Sequence, residues 1–380
     1  MEVNEIKDKT RYIQADTERM LWAVSAGICE CKGCPRKLYT HHVTKENVNL
    51  AQKAHIYAFS EGGKRFSRLI SRDRINDIDN LMLVCDACHK LIDSGNTDYS
   101  AEKLIEMKKE HEERVARLVS IKPDLQTSIV IYNANIADKS ITINDDIANE
   151  SVTPEYYPSS VTPHRFSPNL RLYDREADYW KVMARDLERA YAVHEQTLRD
   201  KHISLFAIAP QPLLFKLGTL LNRNYNVDVR QPQGSIDQWH WSETKKTINL
   251  KQITLPELIP QSSVVLTLEL SARLSEEELR KVFRGHAVYR ITCAECNPMV
   301  IRCKADLQAV MEQYRVILNR IRAERGSDVQ ILLVPIAPVS VTIEAGRQVM
   351  KGDPQVVVYD RNYQTKEWTE ALMFNGEENA

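Results

Sequence analysis

Two Cys-x-x-Cys pairs, Cys31–Cys34 and Cys85–Cys88, carry the clearest chemistry in this chain. Four thiolates at such spacing suit a tetrahedral zinc ion. Four protein ligands leave no position open for water, so a zinc held this way is structural. Cys29 reads as a spare buried thiol, with a register that uses it in place of Cys31 left open. Between the pairs lies Ala54-His55-Ile56, ahead of Ser60-Glu61-Gly62-Gly63. Asn80 precedes the second pair, and His89 follows it directly. Phosphodiester hydrolysis needs a base for the attacking water and a cation for the leaving oxygen. His55 is the candidate base, because a neutral imidazole titrates near physiological pH. His89 and Asp93 stand i, i+4 on one helix face, where they would hold Mg²⁺ or another divalent ion with water completing the shell. Asn80 would orient the His55 loop through its amide. Lys64, Arg65, Arg68 and Arg72 follow the Gly-Gly turn and are candidates for phosphate contact. His41-His42 is a rival for the base, ranked second because it crowds the first knuckle and lacks a Gly-rich turn.

The elements that must position these groups come next. The chain has 380 residues, a net charge of −1 and five of its eight cysteines in the first ninety residues. Length and cysteine distribution predict two domains, and the near-neutral charge requires any nucleic-acid surface to be local. Met1 to Asp8 is charged, and no apolar run approaches membrane-spanning length, so the expectation is a cytoplasmic protein with no membrane partner. In that compartment paired cysteines hold metal more often than they form disulfides. Ser100 caps a predicted helix with Leu104, Met107, His111, Val115 and Leu118 on its apolar face and Lys108 on its wet face. The expected boundaries are 1–120 for the cysteine-bearing domain, 121–170 for a linker with short extended segments, and 171–380 for a second domain. Prolines 154, 158, 163 and 168 motivate the linker.

From Asp174 to Asp200 a long amphipathic helix is expected, followed by alternating strands and helices of the parallel α/β kind. A repeat lies inside this half. Ala209-Pro210 and Ala337-Pro338 each end an apolar strand, and Gly218 and Gly346 each follow eight residues after the proline, so both matches share an offset of 128 residues. Duplication of a strand–turn–helix unit accounts for it. Helix starts at the carboxyl ends of strands suit phosphates, although a proline at a helix start is common with no ligand.

Cys31–Cys34, Ala54-His55-Ile56, Asp79-Asn80-Leu81 and Cys85-Asp86-Ala87-Cys88-His89 together resemble an HNH endonuclease of the ββα-metal fold, over roughly Cys31 to Asp93. Many relatives carry Asp or His before the base histidine as a metal ligand. Here that residue is Ala54, and Asp93 is the expected substitute. Phe206-Ala207-Ile208-Ala209-Pro210 with Leu217-Gly218, Trp239-His240-Trp241, and Ala337-Pro338 with Glu344-Ala345-Gly346-Arg347 resemble a SAVED domain, built from two fused CARF-like, Rossmann-like halves.

The resemblance implies an α+β zinc-stapled HNH domain followed by an α/β SAVED sensor. It implies an effector of the bacterial anti-phage CBASS systems: a deoxyribonuclease acting on double-stranded DNA with little sequence preference once a cyclic oligonucleotide binds and drives homo-oligomerisation. For the ligand, Gln211 and Ser340 occupy the helix starts, Arg230 and Arg347 would meet phosphate, and Trp239, Trp241 and Tyr359 are stacking candidates. Cys293, Cys296 and Cys303 read as reduced buried thiols. A constitutive restriction-type HNH nuclease whose C-terminal half reads modified DNA is the alternative.

Overall fold

A computed structural model describes residues 12–68, 70–94, 99–137, 139–166, 178–242, 248–257 and 262–374, in two compact units, 1–122 and 123–380. In the first unit α1 (Ala15–Val24) precedes β1 (Ala51–His55), which pairs antiparallel with β2 (Leu81–Cys85), Ala51 opposite Cys85 and His55 opposite Leu81. α2 (Asp86–Asp93) starts directly after β2. All of β2 is buried, so Leu81-Met82-Leu83-Val84 runs apolar without alternation between α1 and α2. α3 (Ala101–Ser120) begins where expected, with the Ser100 hydroxyl accepting from the Lys103 N–H at 3.4 Å.

Two positions on α3 depart from the helical pattern. Lys108, expected on the wet face, is buried and pairs with Glu112 and, at 3.9 Å, with Glu30. The Glu30 carboxylate accepts from Leu83 N–H in the core and is itself 1% exposed, so it draws a cation inward. Leu118, expected on the apolar face, lies beyond the packed turns and is exposed.

The second unit holds two sheets. One is parallel throughout, in the order β4 (Tyr157–Pro158), β3 (Gln126–Asn133), β6 (His202–Ile208), β7 (Asn226–Val229), with β5 (His164–Arg165) also on β3. The segment 121–170, expected to be a linker, therefore supplies an inner strand of this sheet and the helix α4 (Asp145–Ser151). Ile129, Val130, Ile131 and Tyr132 are fully buried, and that apolar run outweighs the prolines around it. α5 (Tyr179–Leu198) matches the long amphipathic helix. Its expected start at Asp174, and Pro168, lie outside the described residues.

The other sheet has the order β13 (Trp368–Phe374), β12 (Val356–Arg361), β11 (Gln330–Ile336), β9 (Ser263–Glu269), β10 (Val288–Cys293), β8 (Leu250–Leu255). The inner four strands run parallel, and the two edge strands are antiparallel. Helices α6 (Gln211–Leu220), α7 (Glu276–Val282), α8 (Lys304–Arg325) and α9 (Val339–Arg347) complete the unit. α6 and α9 pack directly on each other, and each reaches into the opposite core: Phe215 sits in the six-stranded sheet's cluster and Ile343 in the five-stranded sheet's.

Candidate functional site

His55 ends β1 and is half-buried. Its Nε2 lies 2.9 Å from Asn76 Oδ1, and the Asn76 amide nitrogen donates to Tyr12 O at 3.3 Å. That second bond orients the amide with its oxygen toward the ring. An amide oxygen can only accept, so Nε2 donates to it, and in the neutral ring that leaves Nδ1 with the lone pair a base requires. Asn76 was not singled out from sequence, because nothing in its spacing marks it among the loop residues.

Asn80 is buried. Its Oδ1 accepts from Tyr57 N–H at 2.8 Å, and its Nδ2 donates to Ile75 O at 2.8 Å and Tyr57 O at 3.2 Å. Every one of these bonds is to backbone, and they fix the chain just beyond His55. Ala54, by contrast, points into the core and offers no ligand.

His89 and Asp93 do face each other across one turn of α2, Nδ1 to Oδ2 at 3.5 Å. The other oxygen of Asp93 is 3.0 Å from Arg65 Nη2. Arg65 was expected to face phosphate. Instead its side chain is only 11% exposed, and it donates to Ile56 O at 2.9 Å, His55 O at 3.3 Å and Ile92 O, which turns it into the clamp between the end of β1 and the end of α2. Lys64 is held on Ser94 O at 2.7 Å, while Arg68 and Arg72 are exposed. The rings of His41 and His42 lie tilted against each other at 4.8 Å, and His41 Nδ1 is taken by the Thr44 N–H.

The His89–Asp93 pair fits a hard divalent ion. Two neighbouring ligands at about 2.1 Å each sit about 3 Å apart in octahedral geometry, close to the observed gap, and the remaining positions would be water or phosphate oxygen.

The sulfur atoms that converge belong to Cys29, Cys34, Cys85 and Cys88, all within 4.8 Å of one another. Cys31 falls outside this quartet. The physical reason is local pairing: Cys29 N–H bonds Arg36 O, Glu30 N–H bonds Leu83 O, and Cys85 N–H donates to Cys29 Sγ at 3.3 Å. The strand-like run 28–30 thus carries Cys29 to the end of β2, while Cys31 begins the turn closed by Cys34 N–H. Burial pushes the Cys29 thiol up to about 12. A tetrahedral site with metal–sulfur bonds of about 2.3 Å sets its sulfurs about 3.8 Å apart, inside the 4.8 Å within which this quartet converges.

In the second unit, most residues expected to bind a ligand are instead parts of the frame. Trp239 is fully buried, edge-on to Phe206 at 5.2 Å, with its N–H on Ile236 O. Trp241 packs against the larger core. Arg230 is 1% exposed and neutralised by Asp228 at 3.0 Å and Glu155 at 3.4 Å. Arg347 is buried among Glu344, Leu221 O and Tyr225 O. Ser340 is fully buried on the Gln231 amide, and Tyr359 bonds Glu370 at 3.0 Å.

Two clefts do open at the equivalent helix starts. One of about 290 Å³ lies at Pro338-Val339 of α9, lined by Gln231, Ser235, Ser271 and Met299. The other, of about 170 Å³, lies at Pro210-Gln211 of α6, lined by Tyr179, Trp180, Arg361 and Tyr363. Gln211 lines the second cleft, but its amide also bridges Ala337 O and Thr342, so it couples the two helix starts.

A ββα unit with a cysteine quartet is thus followed by a two-sheet α/β unit with clefts at paired helix starts. Residues 30–97 match the HNH endonuclease family, and residues 187–374 match the SAVED family, the SMODS-associated and fused to various effectors sensor domain. The chain therefore joins an HNH endonuclease domain to a SAVED sensor domain. No curated protein matches it.

Among solved structures it is similar to the Acinetobacter baumannii Cap4 SAVED/CARF-domain containing receptor. With the cyclic trinucleotide 2'3'3'-cAAA the identity is 11% and the TM-score 0.43, covering 72% of this chain and 56% of that one. With 3'3'3'-cAAA the values are 9% and 0.46, covering 72% and 62%. The Moraxella osloensis Cap4 receptor is similar at 11% and 0.41, covering 82% and 71%. The chain matches little more than half the length of the Acinetobacter receptor. Among the described residues no helix is long and apolar enough to cross a membrane.

Proposed function

We propose that this protein is a cyclic-oligonucleotide-gated, metal-dependent HNH deoxyribonuclease of the CBASS type. One observation carries the reading: a single guanidinium, Arg65, holds the His55 carbonyl and the Asp93 carboxylate together, which brings base and His89–Asp93 pair to one locus. His55 Nδ1 takes the proton from water, and Asn76 and Asn80 hold the ring and its loop. A divalent ion held by His89 and Asp93 would stabilise the leaving oxygen. A structural zinc on Cys29, Cys34, Cys85 and Cys88 would staple the knuckle to β2. Arg68 and Arg72 remain the exposed cations for double-stranded DNA, and phosphate contacts alone give little sequence preference.

The messenger belongs in the clefts at the starts of α6 and α9, where the positive end of each helix dipole favours phosphate and Trp180, Tyr179 or Tyr363 offers a stacking face. The two related sheets correspond to the fused Rossmann-like halves of the family. Ligand binding would favour an oligomer in which the nuclease units act together, and that requires tighter binding to the assembled form.

The test is purified protein with supercoiled plasmid and Mg²⁺, with and without a panel of cyclic di- and trinucleotides. Cleavage only with a messenger, and cleavage lowered at least about a hundredfold in His55→Ala, is the expected result. Cleavage without any messenger would favour the restriction-type alternative.

A further inference from the structure

The second unit contains a dithiol that the nuclease and sensor readings leave unused. Cys293 ends β10 and is buried, whereas Cys296, three residues on, is half-exposed. Their sulfurs are 3.5 Å apart, with the Cys293 thiol donating to Cys296 Sγ. Cys296 is also within reach of the Thr292 hydroxyl at 3.3 Å. Arg273 Nη2 donates to Cys293 O at 2.9 Å and Ala294 O at 3.2 Å, which plants an exposed guanidinium on this turn beside Cys296. The two thiols are held unequally. Burial first, then its thiol bond to Cys296, pushes Cys293 up to about 12. Burial also acts to raise Cys296, yet the Thr292, Cys293 and Arg273 hydrogen bonds outweigh it and leave that thiol lowered.

We propose that Cys296 and Cys293 form a thiol–disulfide exchange site that takes a low-molecular-weight disulfide such as oxidised glutathione. Cys296 thiolate attacks one sulfur of the disulfide, forming a mixed disulfide and releasing one glutathione thiolate. Cys293, giving its proton to solvent, then attacks Cys296 Sγ, forming the Cys293–Cys296 bond and releasing the second glutathione thiolate. The pair is oxidised and the glutathione disulfide reduced to two thiols, so electrons balance. This asymmetry, a half-exposed attacking thiol beside a cation with a buried resolving thiol at Cys-x-x-Cys spacing, is what exchange requires. Closing the gap to a bond of about 2.05 Å needs only a short approach of the two sulfurs. The bond would pin the turn leading to Pro298 and Met299, which wall the larger cleft.

The test incubates the reduced full-length protein with oxidised glutathione and maps the products by peptide mass spectrometry. For the wild type the expected product is the 293–296 peptide lacking both thiol hydrogens and carrying no glutathione. Cys293→Ser should instead retain glutathione on Cys296, and Cys296→Ser should slow reaction of this peptide at least tenfold. A wild-type peptide that stays a dithiol under conditions that convert the thiol of a free cysteine peptide would overturn the proposal, and so would modification of Cys293 at an unchanged rate in Cys296→Ser. The wild-type measurement stands even where a variant folds poorly.

Discussion

A methyl group added at Gly218 would lie 2.1 Å from the carbonyl oxygen of Ile343, and one added at Gly346 would lie 2.1 Å from the carbonyl oxygen of Phe215. The relation is reciprocal, and all four residues obey the 128-residue offset, Gly218 to Gly346 and Phe215 to Ile343. α6 and α9 therefore cross as an approximately two-fold pair whose backbones meet where neither residue has a Cβ. Gly218→Ala and Gly346→Ala must separate the helices. Overpacking of this kind costs about 1–3 kcal/mol, and more where backbone is the obstacle. Thermal unfolding should move down by about 2–4 °C per kcal/mol for a unit of this size.

His55→Ala should lower messenger-dependent cleavage by about 10²–10⁴-fold, the usual worth of a general base. Asn76 acts through His55, so its removal should cost less, on the order of tenfold. Asn76→Ala should also change the pH–rate profile, because the ring is freed to change tautomer. Asn76→Asp keeps an acceptor on Nε2 and should restore most of the rate. An Asn76→Ala enzyme with both rate and profile unchanged would remove that role.

Zinc content separates the two possible cysteine registers. Cys29→Ser should lose the metal and unfold the first unit, since a small module of this kind draws much of its folding free energy from the ion. Cys31→Ser should retain stoichiometric zinc, measured by elemental analysis of the purified protein. Chelation of the wild type should unfold residues 12–94 while leaving the circular dichroism of the second unit in place. The opposite result for the two serine variants would return Cys31 to the site.

Arg230 offers a comparable choice between ligand contact and frame. It is buried against Asp228 and Glu155, with Lys304 on the same two carboxylates at 3.0 and 2.7 Å. Glu155 and Lys304 are partly exposed and Lys304 would still face both carboxylates, so removing Arg230 should cost less than the roughly 3–5 kcal/mol of a fully buried pair. Arg230→Ala should therefore lower the denaturant midpoint. A variant that keeps full stability and loses only messenger affinity would make Arg230 a ligand residue after all.

The pH dependence of the first unit has a defined contributor in His111. Burial depresses its basicity, and its Nε2 donates to Ser25 O at 3.0 Å. A histidine with a depressed folded value binds its proton less tightly when folded. Its stabilisation is thus complete above the unfolded value, near 6.5, and declines as pH falls below that. His111→Gln keeps a donor for Ser25 and should flatten the decline in stability below about pH 6.5, read from unfolding midpoints of both proteins.

The candidate site residues were legible because the chemistry they suit dictates type and spacing. Two cysteine pairs, an Ala-His-Ile before Gly-Gly, and a Cys-His junction followed by Asp93 at i+4 can be read in one dimension. So could the proline–glycine repeat, since duplication leaves a constant offset. Even so, Lys108 and Arg65 were misplaced. Periodicity reports which face of a helix is apolar, and cation runs report charge, but neither reports that Glu30 is buried or that two chain ends need a clamp.

What this sequence by itself determined is the set of parts: an HNH unit, a cysteine knuckle and a pair of strand–turn–helix units in a SAVED sensor. Only the tertiary structure decided which thiol joins the quartet, that β3 belongs inside a sheet, and that Trp239, Arg230 and Arg347 are frame rather than pocket. The reason is that burial and charge pairing are set by residues distant in sequence. Asn76 and His55 are twenty-one positions apart, and Cys29 and Cys85 fifty-six. No local pattern encodes such meetings until the sheets bring them together.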